Sequence, residues 1–228
     1  MKFHGIAATL RGVVAATALL VASCLPAAPL SNQEIVDLCG VADDPGHCGK
    51  LIERRQLALQ PGVAARSDRV LEIRLQRPDS ARFTDSTDPP REYSLWDVFP
   101  AIDFVVVWLQ ESDASRYLLI NRERGTVYTM PGEPVLSPDG AHIASADFCA
   151  RGCANELAIW DVQGRELRKT RVYAATAGWL DAAVRWKGKD MITVEVELAA
   201  GGPNEQGRRT SRTIDLSLAD RAWKSDGR

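Results

Sequence analysis

The cysteines are the residues whose spacing most directly indicates chemistry. Of five in the chain, Cys24 follows an apolar run, and the others form two close pairs, Cys39 with Cys48 and Cys149 with Cys153. In an oxidising compartment an even number of cysteines predicts disulfides, and four cysteines allow three connectivities. The short spacings favour the two local pairs, each worth about 2 to 3 kcal/mol on the chain-entropy estimate.

Metal or redox chemistry is the alternative use of these thiols. A metal site would combine them with His47 or His142, but neither cysteine spacing matches a zinc pattern. A redox pair at Cys149 and Cys153 would have three intervening residues and no βαβ context. The sequence therefore predicts two structural disulfides, no metal and no cofactor.

Motifs for catalysis are absent from the sequence. It contains no Gly-x-Ser-x-Gly, Ser-x-x-Lys, His-Glu-x-x-His or phosphate loop. Glu195 and Glu197 share one strand face about 7 Å apart, but the pattern places them on a solvated face with nothing to shift a pKa. We therefore predict no catalytic residue, and Asp139 reads as a turn residue.

The N-terminus has the layout of a bacterial signal peptide. Lys2 and Arg11 precede an apolar run at residues 13–22, which is too short to span a bilayer as a helix. Residues 21–24, Val-Ala-Ser-Cys, resemble the lipobox of bacterial lipoproteins, which implies lipidation of Cys24 and stable anchoring by several acyl chains. Ordinary signal-peptide cleavage nearby is the alternative. We expect residues 1–23 to be removed and the chain to be exported to the bacterial cell envelope, either anchored to the membrane or periplasmic.

The charge of the mature chain argues against nucleic-acid binding. Lys2 and Arg11 belong to the leader, so 26 of the 28 basic side chains remain against 30 acidic ones, a net charge of −4. A basic patch of the kind that binds phosphates does not follow from that balance. The sequence therefore predicts no nucleic-acid partner.

Residues 24–62 form a first unit, a linker and a helical hairpin. Ser31 to Glu34 is a capping box, Gly40 closes the first helix, and a second helix from about Cys48 ends at Pro61. A Cys39–Cys48 disulfide would join the two helices. We expect the apolar stripe of the hairpin to pack on the sheets as a lid or edge cover, with partner binding as the alternative.

Residues 63–228 read as an all-β domain, whose clearest part is residues 134–172. Four short strands follow one another there, at 134–136, 142–148, 157–162 and 166–172, with a Ser-Pro-Asp-Gly turn after the first. The segments 135–145 and 157–162, which contain Trp160-Asp161, resemble one blade of the WD-repeat and TolB-type β-propellers. The resemblance implies blade-like architecture and carries no function by itself.

The same layout recurs before and after this segment. Strands are predicted at 93–98, 102–110, 117–122 and 126–130, and again at 183–186, 191–198 and 208–218. Gly140 and Gly188 are 48 residues apart, close to a blade period. We expect about three antiparallel four-stranded sheets in an open or partial propeller-like stack. Residues 70–75 read as a strand and 77–91 as a surface loop, and a short fourth blade at 70–91 stays open.

These observations favour a non-catalytic cell-envelope lipoprotein that binds another protein. The alternative is a periplasmic immunity or inhibitor protein that inserts a loop, at 77–91 or 199–207, into an envelope-targeting hydrolase. The third hypothesis is a carboxylate-dependent envelope hydrolase, which requires two carboxylates facing one another in a pocket.

Overall fold

A computed structural model describes residues 30–112, 114–149, 152–174, 179–199, 209–220 and 224–225 of the chain. The expected signal peptide, the candidate lipidation site Cys24 and most of the loop at 199–207 lie outside these residues.

The N-terminal hairpin consists of helix α1, Asn32–Gly40, and helix α2, Pro45–Leu59. The predicted capping box starts α1, with the backbone N–H groups of Ser31 and Glu34 each donating to the other's side chain. The second helix begins three residues earlier than expected, because Asp44 caps it and Pro45 fits its first turn. Both local cysteine pairs are disulfide-bonded, Cys39 with Cys48 between the helices and Cys149 with Cys153 further along the chain.

The first sheet contains β1, Ala64–Ser67, β2, Val70–Arg74, and β3, Ser80–Thr84, in that order and antiparallel. The prediction that residues 77–91 form a surface loop is wrong. Phe83 pairs with Leu71, and Ala81 pairs with Ile73, so the apolar side chains of β3 pack against the core. The turn-forming residues that suggested a loop lie mostly beside this strand, and pairing with β2 outweighs the local composition.

The second sheet contains five strands: β4, Ser86–Thr87, β5, Pro90–Phe99, β6, Phe104–Glu111, β7, Ser115–Asn121, and β8, Val127–Met130. They lie side by side in chain order. The most buried is β6, the run of apolar residues predicted to lie in the interior.

The third sheet contains the four strands predicted at 134–172, as an antiparallel meander. They are β9, Val135–Leu136, β10, His142–Asp147, β11, Glu156–Gln163, and β12, Glu166–Ala174. A fifth strand, β16, Lys224–Ser225, pairs with the outer side of β12.

The fourth sheet contains β13, Trp179–Trp186, β14, Met191–Ala199, and β15, Arg209–Ser217. In β14 Ile192, Val194 and Val196 are buried, as the alternating pattern predicts.

Three apolar clusters hold the four sheets together in chain order. Leu71 and Ile73 of the first sheet pack with Val105 and Val107 of the second. The second and third sheets share a cluster that contains Phe104 and Trp160, and the third and fourth share one that contains Ile159 and Val194.

The protein is therefore mainly β, as predicted, and its described residues form four open antiparallel sheets of three, five, five and three strands. The expectation of about three four-stranded sheets undercounts them. The missed sheet is the one built from residues 64–84, because β1 is short and β3 has the composition of a loop.

Candidate functional site

A β-bulge in β5 places the dipeptide Trp96-Asp97 at the centre of a candidate site. Leu95 pairs with Val107 and Asp97 with Val106, so Trp96 is the extra residue on its strand. Bulges redirect side chains and are common beside functional sites. Here the flanking residues Leu95 and Val98 are buried, whereas Trp96 and Asp97 are half-buried.

Three aromatic rings surround the bulge. Trp108 on β6 and Tyr117 on β7 form a cross-strand pair, and the Trp96 ring contacts both. Its centroid lies 5.7 Å from that of Trp108 and 5.6 Å from that of Tyr117, which it meets edge to face. These are favourable aromatic geometries, so the three rings form a fixed platform.

A carboxylate from the next sheet's connection completes the platform. The Trp96 indole Nε1–H donates to Glu133 Oε1 at 2.8 Å, and Glu133 lies in the segment between β8 and β9. Gly132 fixes that segment: its N–H donates to Ser145 Oγ at 3.2 Å, and the Ser145 hydroxyl donates to the Gly132 carbonyl at 2.9 Å. A Cβ at Gly132 would lie 1.8 Å from the Ala146 carbonyl oxygen, so this close approach requires glycine.

The second carboxylate, Asp97, is held by hydrogen bonds to uncharged donors. Its Oδ1 accepts from the Val98 N–H at 2.8 Å and from Gln56 Nε2 at 3.5 Å. Among the described residues, no lysine or arginine forms an ion pair with Asp97 or Glu133. We call Trp96, Asp97, Tyr117 and Glu133 the acidic aromatic site.

The electrostatics of the acidic aromatic site reflect this lack of a cation. Burial raises the pKa of Asp97 to about 6, and the nearby charge of Glu133 adds to the rise. Glu133 is exposed as a residue, but its carboxylate lies at the indole, where burial raises its pKa and the Trp96 hydrogen bond partly offsets the rise. Burial, followed by the charge of Glu133, raises the pKa of Tyr117 as well.

Helix α2 positions the bulge from the open side of β5. Lys50 Nζ donates to the Tyr93 carbonyl at 2.7 Å, Glu53 Oε2 accepts from the Leu95 N–H at 3.1 Å, and Gln56 Nε2 donates to the Trp96 carbonyl at 2.9 Å. These three side chains, spaced by three residues, satisfy backbone groups that a neighbouring strand would otherwise bind.

The hairpin is thus an edge cover, as predicted, but a polar helix face forms the hydrogen bonds to the strand. Glu53 and Gln56 are buried, and Glu53 also binds Arg66 through two hydrogen bonds of 2.9 and 2.7 Å. Gly49 allows the close approach, since a Cβ there would lie 2.5 Å from the Trp108 ring. Ile52 and Leu57 supply the apolar contacts that the sequence indicates.

The dipeptide Trp160-Asp161 on β11 can be compared with Trp96-Asp97 on β5. The Asp161 Oδ1 atom lies 3.0 Å from His142 Nδ1, 2.9 Å from Thr170 Oγ1 and 3.4 Å from Arg171 Nη1. The ring of Trp160 has Lys169 Nζ at 5.7 Å from its centroid, and Lys169 in turn forms an ion pair with Glu156. Here the chain supplies its own cations.

The residues that the sequence singled out have structural surroundings. His142 bonds Asp161 and stacks on Trp186 at 6.0 Å, and His47 Nδ1 accepts from the Asp43 N–H at the start of α2. Glu195 is paired with Arg185 at 3.2 Å. Within the described ranges, no group of three or more His, Cys, Asp or Glu side chains is arranged to hold a metal ion.

Two cavities lie away from the acidic aromatic site. A groove of about 550 Å³ is lined by Tyr128, Trp160, Arg168 and Lys169, among others, and one of about 320 Å³ by residues including Asp103 and Arg165. Neither is lined by Asp97 or Glu133, so the two carboxylates lie outside both clefts.

The sequence contained one signal for the missed site. Leu95-Trp96-Asp97-Val98 nearly repeats Ile159-Trp160-Asp161-Val162, and comparing the chain with itself would have marked the first copy. Glu133 had no such signal, because its approach to Trp96 depends on how the second and third sheets pack.

The compartment follows from the cysteines in coarse terms. The two disulfides indicate an oxidising, exported environment. In the part of the chain that the structure describes, no helix combines the length and apolar character required to cross a membrane.

No protein-family model matches the chain, and neither a curated protein nor a solved structure matches it.

Proposed function

We propose that the protein is a non-catalytic lipoprotein of the bacterial cell envelope that binds another protein. The observation that carries this proposal is the acidic aromatic site, in which two carboxylates on an aromatic platform have no cation from the described chain. Aromatic residues are enriched where proteins bind one another, and unpaired charges at such places favour a partner of opposite charge.

The remainder of the chain shows that this lack of a cation is unusual for it. Half-buried Asp147 accepts the Ala154 N–H and forms no ion pair within the described residues. Eight other carboxylates in buried or half-buried positions have a lysine or arginine within 4 Å: Glu53, Glu72, Asp85, Asp103, Glu111, Glu123, Glu156 and Asp161. Since the chain neutralises these groups internally, the pair at Asp97 and Glu133 is a feature to be explained by something outside it.

The stacked sheets fit the same proposal. We take them as blades of an open propeller-like assembly, with Cys24 as the lipid-anchored first residue. Open sheets leave edges and loops available for contacts, and α2 already closes the edge of β5 beside the site. The anchor would precede α1 by a short linker and hold the domain near the membrane.

Catalysis by Asp97 and Glu133 is the second candidate, because both carboxyl groups have raised pKa values. Such a pair is what acid and base catalysis on glycosidic bonds uses. Against this candidate, the two grooves described above are lined by other residues, whereas catalytic carboxylates commonly work in a cleft that excludes water. We therefore favour binding.

The test uses the full mature chain with a C-terminal tag, extracted in detergent from the envelope of the producing cell, with bound proteins identified by mass spectrometry. A partner recovered in stoichiometric amount would then be purified and its affinity for the chain measured directly. A Cys24→Ala variant reports whether the lipid anchor is used, because it should move from the membrane to the soluble fraction.

A single partner that binds the purified chain with a defined stoichiometry is the expected result. If that partner is an envelope-targeting hydrolase and the chain inhibits it, the protein is a periplasmic immunity or inhibitor protein. Absence of any partner, together with hydrolysis of envelope polymers that disappears in Asp97→Asn, would overturn the proposal in favour of catalysis.

A further inference from the structure

Resting on the proposed function, we infer that the acidic aromatic site binds an arginine side chain of the partner protein, stacked on Trp96 and paired with Glu133 and Asp97. The inference goes beyond protein binding in general, because it names the group that the partner presents and the residues that receive it.

At the other tryptophan–aspartate dipeptide, Trp160-Asp161, a lysine of the same protein already occupies the position over the ring. At Trp160, Lys169 lies 5.7 Å from the ring centroid and pairs with Glu156. At Trp96 the ring and the carboxylate are both present, since Glu133 is bonded to the indole nitrogen, and the described chain provides no cation. A cation over an aromatic face within about 6 Å is attracted by the ring quadrupole.

The acceptors around Trp96 match the donors of a guanidinium. Glu133 has one oxygen engaged by the indole N–H and the other free of any hydrogen bond within the described residues. Only the Oδ1 atom of Asp97 accepts hydrogen bonds from described residues. A guanidinium has five N–H donors in a plane and binds carboxylates in pairs of parallel bonds, whereas an ammonium is a compact and strongly hydrated point charge.

The Tyr117 hydroxyl is a neutral oxygen available at the same place. Tyr117 is half-buried, and within the described residues its hydroxyl forms no hydrogen bond with the protein and is not a buried unsatisfied group. Its ring and that of Trp96 are in T-shaped contact at 5.6 Å. A phenol oxygen accepts hydrogen bonds, so an arginine bound at Trp96 would donate to it.

Arg66 shows that this chain binds guanidinium groups in the same way elsewhere. Its nitrogens donate to both carboxylate oxygens of Glu53, at 2.9 and 2.7 Å, to Asp85 at 3.1 Å and to the Tyr93 carbonyl. Two carboxylates and a neutral oxygen around one guanidinium are the set that Glu133, Asp97 and Tyr117 would provide.

The direct test is a titration followed by the indole N–H resonances in two-dimensional ¹⁵N NMR. The protein has six tryptophans, and Trp96→Phe assigns the Trp96 signal by its loss. The probes are N-acetyl-arginine amide, N-acetyl-lysine amide and the uncharged N-acetyl-citrulline amide, each at millimolar concentration.

We expect the arginine probe to shift the Trp96 signal in a saturable way, the lysine probe to bind more weakly and the citrulline probe not to bind. Glu133→Gln and Asp97→Asn should each weaken arginine binding at least threefold, and the double variant at least tenfold. Glu195→Gln removes a carboxylate on β14 that pairs with Arg185 on β13; it is the matched control and should leave the titration unchanged.

Equal shifts from arginine and citrulline, or a double variant that binds arginine as well as the wild type, would overturn the inference. The other indole signals report whether each variant is folded. The proposed function is tested separately: if the double variant still binds the purified partner with unchanged affinity, only the inference fails, whereas absence of any partner defeats the proposed function itself.

Discussion

The two Trp-Asp-Val segments of this protein, residues 96–98 and 160–162, have the same sequence and contrasting surroundings. Both lie on strands with a register shift beside them, at Leu95/Asp97 in β5 and at Ile159/Trp160 in β11. Around Asp161 the chain gathers His142, Thr170 and Arg171 within 3.4 Å. Around Asp97 the described residues place only an amide side chain and a backbone N–H as hydrogen-bond donors.

The difference separates a carboxylate that stabilises the fold from two that are better explained by function. Asp161 is used by the structure, since its neighbours pay for its burial with charge and hydrogen bonds. Asp97 and Glu133 accept hydrogen bonds from uncharged groups, and no described cation is paired with either, so burial raises the pKa of each. Groups kept at a cost to stability are typical of functional sites.

The tryptophans give the largest expected contrast. Trp160 is buried in the cluster between the second and third sheets, so Trp160→Ala should lower the free energy of unfolding by about 3 to 5 kcal/mol. Trp96 is half-buried, and Trp96→Ala should cost about 1 to 2 kcal/mol, mostly from its ring contacts. Urea unfolding followed by circular dichroism measures both. Equal losses would mean that Trp96 is a core residue and not part of an open site.

The aspartates should separate next. Asp161→Asn removes the negative charge that His142 and Arg171 face, and we expect a loss of about 1.5 to 3 kcal/mol in the free energy of unfolding. Asp181→Asn is the control, because exposed Asp181 accepts only the Ala182 N–H among the described residues, and asparagine retains that acceptor. An Asp161→Asn protein as stable as the control would show that these contacts contribute nothing measurable.

Much of this fold follows from the sequence, since period and turn chemistry are local signals. The run at β6, the alternation in β14 and the four strands from 135 to 174 all agree with the predicted strands. The first sheet did not follow, because β3 is a strand only through its pairing with β2. Local composition cannot show a partner that lies elsewhere in the chain.

The candidate site was even harder to predict from the sequence than the first sheet. The sequence predicts Trp96 and Asp97 as part of an ordinary strand, and the bulge at Trp96 exists only in the pairing with β6. Glu133 reaches Trp96 because Ser145 and the carbonyl of Ala146 hold Gly132 against the third sheet. Such a contact between two sheets depends on their packing, which spacing along the chain does not reveal.

Replacing the aspartate of the acidic aromatic site, Asp97, should raise the free energy of unfolding, whereas replacing Asp161 should lower it. The folded state raises the pKa of Asp97 from 3.8 to about 6, so between these pH values it binds more protons than the unfolded state. Stability therefore falls as pH rises through this window. Asp97→Asn keeps the Oδ1 acceptor and avoids the buried charge, so it should raise the free energy of unfolding at pH 7.5 by about 1 to 2 kcal/mol, with about 3 kcal/mol as the upper limit.

The check is urea unfolding of the wild type and Asp97→Asn at a series of pH values. The difference in stability between the two proteins should be smallest at the acid end of the series, where the Asp97 carboxyl is protonated in both states, and should grow up to about pH 6. A constant difference between them at all pH values would contradict the assignment, because it would show that the substitution acts through packing and not through the charge.

The smallest expected effect tests whether the two acids act on one another. Glu133 adds to the rise in the pKa of Asp97, so Glu133→Gln should lower the pKa of Asp97 while glutamine keeps an oxygen for the Trp96 N–H. The stability change should stay below about 1 kcal/mol, because Glu133 is exposed as a residue. The side-chain carboxyl ¹³C signal of Asp97 reports its titration directly, and Glu195→Gln serves as the control. If the pKa of Asp97 is the same in Glu133→Gln and in the wild type, the two carboxylates do not share a field, and a single guanidinium would not be expected to pair with both.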